Sequence, residues 1–216
     1  MLSTADAYPG PVEVVNALRA ALRAAADPDK APAMQAYMKS QMPFLGVQKP
    51  QRSQLLRPVA RDLDDETAVA AAQVLWDEAA YREERYVALA LLRGRPVGEG
   101  FARHLITTGA WWDYVDEVAT KLLPEGIDLR AWARDDDMWI RRAAILAQVG
   151  HRERTDPELL REVIEANSDD RRFWITKAIG WALRDYARTD AGWVSTFVAD
   201  HDLAPLSARE ALKHLR

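Results

Sequence analysis

The sequence contains no cysteine. That absence removes disulfides, thiolate zinc sites and cysteine nucleophiles together. No run of about 18 apolar residues occurs, so no transmembrane helix is expected. Met1 to Gly10 has neither a basic n-region nor an apolar h-region, which speaks against a signal peptide. A cytoplasmic protein is the expectation. GxGxxG and Walker-type GxxxxGK loops are missing, as are a GxSxG elbow and an HExxH pair. The four histidines, His104, His151, His201 and His214, are scattered without ligand spacing. Neither a metal nor a nucleotide cofactor is therefore expected. No stretch alternates apolar and polar residues long enough to make a convincing strand.

What remains is a helical composition. The chain has 216 residues, 49% of them hydrophobic, enough for one sizeable core or one continuous repeat array. Alanine, leucine and arginine dominate, and no linker divides the sequence, so 1–216 reads as a single domain. Breaks fall at Asp27-Pro28, Met42-Pro43, Gly94-Arg95-Pro96, Pro124-Glu125-Gly126, Asp156-Pro157 and Ala204-Pro205. The spacing predicts short helices of about 10–18 residues. Thr155-Asp156-Pro157-Glu158 sets a capping residue before a first-turn proline.

Charge is unevenly placed although the net is only −4. From Lys30 to Arg61 there are six basic residues (Lys30, Lys39, Lys49, Arg52, Arg57, Arg61) and no acidic one. Acids then cluster at Asp62, Asp64, Asp65 and Glu66, and again at Asp135, Asp136 and Asp137. Such segregation makes one basic face on an acidic protein, or is ordinary solvated helix surface.

A weak internal repeat is visible. Arg85-Tyr86-Val87-Ala88-Leu89, Arg141-Arg142-Ala143-Ala144-Ile145 and Thr176-Lys177-Ala178-Ile179 each set polar or basic residues before small apolar ones. With the segment around Trp112 they recur at roughly 25–35 residues, the range of two-helix solenoid repeats.

Five stripes on these helices matter. Trp111, Val115, Val118 and Leu122 form one apolar face of a helix running to about Leu123. Trp112 and Asp116, four apart, share a different face. An aromatic ring beside a carboxylate there can grip a flat or cationic group; equally, Trp112 can cap the core edge with Asp116 solvated. The next helix puts Trp139, Arg142 and Leu146 on one stripe. In the last, Ile175, Ala178, Ile179, Ala182, Leu183 and Tyr186 make a core face, while Lys177, Trp181, Arg184 and Arg188 make a second stripe. Cations neutralise phosphates and an indole stacks on a sugar or base, so that second stripe suits nucleic acid. Asp113 and Asp116 as a glycosidase-like pair is a weak alternative, because two acids three apart are a common surface pattern.

These blocks resemble the AlkD-type glycosylases of the DNA alkylation repair family, built from HEAT-like repeats. The resemblance runs nearly end to end, through Tyr37-Met38-Lys39, Pro43-Phe44-Leu45-Gly46-Val47, Trp111-Trp112-Asp113, Val115-Asp116, Arg142-Ala143-Ala144-Ile145-Leu146, Lys177-Ala178-Ile179-Gly180-Trp181 and Leu203-Ala204-Pro205-Leu206-Ser207. It implies an all-α fold, a right-handed α-solenoid of HEAT-like helix pairs with a concave DNA-binding groove. It also implies a monomeric enzyme that excises N3- and N7-alkylated purines from double-stranded DNA without a cofactor, touching the lesion mainly through its backbone. By resemblance the catalytic carboxylate is Asp116, Trp112 and Trp181 contact the lesion-bearing nucleotide, and Arg142 is the active-site arginine. Tyr37, Lys39, Lys177, Arg184, Arg188, Phe173 and Trp174 are the expected DNA-binding residues. Two departures stand out: the segment between Asp116 and Arg142 is shorter than the family pattern, and Trp174 stands where phenylalanine is expected. The competing reading is a helical-repeat module that binds nucleic acid or protein without chemistry.

Overall fold

A computed structural model describes residues 9–215 of the chain. Among these residues it contains thirteen α-helices, one short 3-10 turn and no strand. The class is all-α, as the patterning predicts. Two compact units divide after Val97.

The first unit holds α1 (Pro11–Ala24), α2 (Ala31–Met38), α3 (Lys49–Ala60), α4 (Asp65–Asp77) and α5 (Arg82–Leu91). Helices α1, α4 and α5 pack on one another. Leu18 and Leu22 of α1, Leu75 and Trp76 of α4, and Val87 and Leu91 of α5 fill the space between them. The alanines Ala68, Ala71 and Ala72 are fully buried, which permits close helix approach. Two carboxylates also enter this interior. Glu84 receives Arg19 Nε at 2.9 Å, and Glu83 receives backbone N–H groups. Both are neutralised or hydrogen-bonded, as buried acids must be.

The second unit holds α6 (Glu99–Gly109), α7 (Trp112–Lys121), α8 (Leu129–Trp132), α9 (Met138–Leu146), α10 (Pro157–Glu165), α11 (Phe173–Tyr186), α12 (Ala191–Asp200) and α13 (Pro205–Ala211). Helices α7, α9, α11 and α13 stand side by side in a row. The others back them: α6 against α7, α8 and α10 against α9, and α12 against α11 and α13. This is the helix-pair repeat that the recurrence of blocks predicts.

Four of the six expected breaks fall between helices, and the other two, Asp156-Pro157 and Ala204-Pro205, mark the starts of α10 and α13. Eight of the thirteen helices have the predicted 10–18 residues, and α2, α8, α9, α10 and α13 are shorter. The longest, α1 and α11, have 14, while α8 has only 4. Between α7 and α9, Pro124 and Gly126 break the chain, and α8 is a single turn. The acidic clusters find a local explanation. Asp64 accepts from Thr67 N–H at 2.7 Å and caps α4; Asp137 accepts from Trp139 N–H at 2.7 Å and caps α9. Asp156 caps α10 as its sequence context predicts, accepting from Glu158 and Leu159 N–H. These carboxylates satisfy helix N-termini and complement the helix dipole.

Candidate active site

Helix α7 begins abruptly. Ala110 takes a left-handed conformation (φ 42°), and Trp111 is extended before the first turn at Trp112. This sharp entry sends the adjacent tryptophans different ways. Trp111 packs into an aromatic cluster, with ring centroids 6.2 Å from Trp139 and 5.3 Å from Trp174. Trp139 and Trp174 lie 5.8 Å apart, and Phe173 meets Trp174 edge-on at 4.9 Å. Trp112 stays half-buried, one helical turn before the half-buried Asp116. Val115, Val118 and Leu122 are buried as the stripe predicts.

Asp116 is held by Arg142 of the neighbouring helix α9. Arg142 Nε donates to Oδ1 at 2.8 Å and Nη2 donates to Oδ2 at 2.9 Å. This is a two-pronged guanidinium–carboxylate pair, which fixes orientation as well as charge. The arginine's remaining amine, Nη1, donates to the backbone carbonyl of Trp174 at 2.5 Å on α11. Its guanidinium also sits 5.8 Å from the Trp174 ring. Three helices of the row thus converge on one side chain that is only 2% exposed. The Asp116 side chain retains 12% exposure. Burial pushes its carboxyl above the usual aspartate range; the Arg142 fork pulls it back, and Asp113 adds a smaller upward push.

The fork uses one lone pair on each carboxylate oxygen and leaves the others able to accept. A carboxylate so held can stabilise a cation or orient a water on its open side. Arg142 is turned into the protein rather than toward a phosphate: each of its nitrogens bonds within the chain, and its side chain is 3% exposed.

The row continues on α11. Its core stripe, Ile175 to Tyr186, is buried throughout, and Lys177, Trp181 and Arg184 lie half-buried on the other stripe, with Arg188 exposed. Two of those cations are occupied. Glu210 of α13 pairs with Lys177 at 3.0 Å and with Arg184. The cations draw the Glu210 carboxyl below its usual range, Lys177 most strongly. Gly180 makes the pairing possible: a Cβ there would fall 2.6 Å from Glu210 Cβ and 3.1 Å from the Ser207 carbonyl. Ser207 Oγ, buried, donates to the Thr176 carbonyl at 2.8 Å and ties the two helices.

The sequence profile of the DNA alkylation repair enzymes matches residues 18–215. The chain belongs to this family. Among solved structures it is similar to one described as a predicted DNA alkylation repair enzyme from Enterococcus faecalis. That likeness has a TM-score of 0.77 and 28% identity, and covers 88% of this chain and 96% of the other. Among curated proteins none matches the sequence.

Within this alkylation-repair chain the site residues separate into groups. Asp116 and Arg142 come together directly, and Arg142 reaches Trp174, with Phe173 (56% exposed) at the outer edge of the cluster. Tyr37 and Lys39 belong to the first unit and are exposed there. Lys177 and Arg184 are joined through an acid that stripe analysis of one helix alone passes over. Glu210 lies in the helix opened by the Leu203–Ser207 block, so reading that block one turn further reveals it.

Proposed function

We propose that the protein is a DNA glycosylase hydrolysing the N-glycosidic bond of cationic N3- and N7-alkylated purines in double-stranded DNA. The observation that carries this reading is the Asp116 carboxylate, forked by Arg142 yet still open on one side. Membership of the alkylation repair family supports the substrate class.

An alkylated purine of this kind carries a formal positive charge, so it departs as a neutral base and needs no strong general acid. The bonding pair leaves with the base, and positive charge grows on the deoxyribose. Asp116 stabilises that charge electrostatically and positions the water whose oxygen bonds to C1′; the water's surplus proton passes to solvent. Trp112 and Trp181 present rings that attract the sugar cation at ~0.5–2 kcal/mol each. Arg142 acts as a positioning residue: it holds the carboxylate in one rotamer. Each ~1.4 kcal/mol of differential stabilisation supplies a factor of ten in rate.

Lys39, Arg188 and the cations shared with Glu210 supply phosphate contacts in this reading, with Phe173 and Trp174 beside them. The family match spans both units, which supports reading them as serving one function. We place the enzyme in the cytoplasm as a monomer. Among the described residues, no helix is long and apolar enough to cross a membrane. The test is incubation with duplex DNA containing 7-methylguanine and assay of released base. Retained duplex binding with no release would instead establish a non-catalytic binding module.

A further inference from the structure

The loop that follows α9 is held in a disfavoured shape. Gly150 and Arg152 both take the left-handed conformation, at φ 89° and 55°. Glycine adopts it freely, whereas an arginine there is strained. The loop is nevertheless tied down. Gln148 Nε2 donates to the Asp156 carbonyl at 3.0 Å, and Gln148 Oε1 accepts from Asp156 N–H at 2.8 Å. Gly150 N–H donates to the Asp185 carboxylate of α11 at 2.6 Å. This fixed turn carries His151, half-buried, and Arg154, exposed.

Both side chains, with Lys121 from the end of α7, line a pocket of about 390 Å³. It opens where the loops after α7 and α9 meet the starts of α8 and α10, wholly within the second unit. Leu123, Pro124, Ile127 and Leu159 give it an apolar wall, and Glu125 is the one acid in its lining. Among the described residues neither Lys121 nor Arg154 has an ion-pair partner. Burial, then the charges of Arg154 and Lys121, hold the His151 imidazole below its usual range, against an upward pull from Asp185. The basic groups therefore feel one another, and an anion placed among them would relieve that repulsion.

We propose that this pocket binds a phosphate monoester carrying one small apolar or planar group, of the size of a mononucleotide. A dianionic head answers two unpaired cations, and neutral His151 adds a ring N–H donor. The leucine and proline wall takes the body of the ligand. The volume lies in the range of small-ligand sites. A loop already held by Gln148 and Asp185 pays little ordering cost at binding, and strained backbone of this kind gathers at ligand sites. The Asp116–Arg142 pair takes no part. The proposal therefore stands apart from the glycosylase reading, and its failure would leave that reading intact.

The test is isothermal titration calorimetry of the protein with AMP, inorganic phosphate and adenosine as probes. AMP should bind at one site per chain with a Kd on the order of 0.1 mM. Phosphate and adenosine should each bind at least about tenfold more weakly, since each fills only part of the pocket. Lys121→Ala combined with Arg154→Ala should weaken AMP binding at least about tenfold, the effect of losing charged contacts. Both side chains are exposed, and melting curves verify that the fold survives. Arg188→Ala, on the polar stripe of α11, should leave AMP binding unchanged. No AMP binding at millimolar concentration, or binding that survives the double variant, overturns the site. Binding lost with Arg188→Ala also overturns it, because the phosphate would then sit on α11. Inorganic phosphate binding as tightly as AMP does so too, because the apolar wall would take no part.

Discussion

Both carboxylate oxygens of Asp116 are engaged by a single guanidinium, that of Arg142, at 2.8 and 2.9 Å. The pair is deeply shielded on the arginine side and partly open on the aspartate side. Charge, orientation and access are therefore set by separate features, and each is open to its own perturbation.

Asp116→Asn keeps the shape of the side chain and removes its charge. The excision rate should fall at least about tenfold, ~1.4 kcal/mol or more, while duplex binding holds or improves. Asp113→Asn should cost far less, because Asp113 is turned about 60° from Asp116 around α7. Single-turnover release of 7-methylguanine measures both. Equal rates for wild type and Asp116→Asn would rule out the mechanism.

Arg142→Lys retains a positive charge but cannot reproduce a planar fork. Excision should drop at least about tenfold with DNA affinity little changed, since Arg142 faces the protein rather than phosphate. Arg142→Ala goes further, stranding a half-buried carboxylate and releasing the Trp174 carbonyl, at a cost of roughly 3–5 kcal/mol in urea unfolding. A fully active lysine variant would show that the fork has no part in positioning Asp116.

The rate should also report the titration of Asp116. Only the ionised carboxylate stabilises a cation, so activity is complete above its pKa and is lost as pH falls through it. Because burial raises that pKa, the acid limb should lie above the ordinary aspartate midpoint of about 3.9. A single-turnover pH profile on 7-methylguanine duplex, corrected for spontaneous depurination, tests this. A flat rate down to the range of exposed aspartates would contradict it.

Much of this arrangement was legible in sequence wherever the relevant residues sit on one helix. The buried and polar stripes of α11, the start of α7 and the Asp156 cap all follow from spacing of three and four. What escaped was pairing across helices. Nothing local to Lys177 and Arg184 says that Glu210 will reach both, and nothing local to the Phe44-Leu45-Gly46-Val47 loop says that Glu83 will bind its amides. The departure at Trp174 also gains meaning only in three dimensions, where its ring closes a cluster with Trp111 and Trp139 and its carbonyl fixes Arg142.

Glu210 competes with phosphate for Lys177 and Arg184, so Glu210→Gln should strengthen their contacts to the DNA backbone. Affinity for undamaged duplex should rise, and the plot of log K against log salt should steepen by up to about two units. Arg184→Ala together with Arg188→Ala should flatten it. A slope unmoved by the glutamine variant would mean that these cations never reach the backbone.

Asp170 offers a separate handle on stability. Arg172 chiefly, with Arg141 of α9, holds its carboxyl down to about 2. A carboxyl whose folded pKa is depressed contributes stability that is present above its unfolded value and fades as pH drops through the folded one. Asp170→Asn should therefore lower the melting temperature at neutral pH and lose less stability than wild type on acidification from about pH 4 to pH 2. Parallel melting curves for the two proteins across that range would argue against the assignment.

The absent side chain of Gly180 acts as a spacer of zero thickness between α11 and α13. The distance it permits is the distance at which one carboxylate pairs with two cations. A mechanical change is thereby converted into an electrical one: anything that loosens the last helix, even a core substitution such as Ala211→Gly far from any phosphate, unmasks positive charge. On the proposed DNA-binding reading, the seating of α13 would then set how much positive charge the α11 face offers to a polyanion.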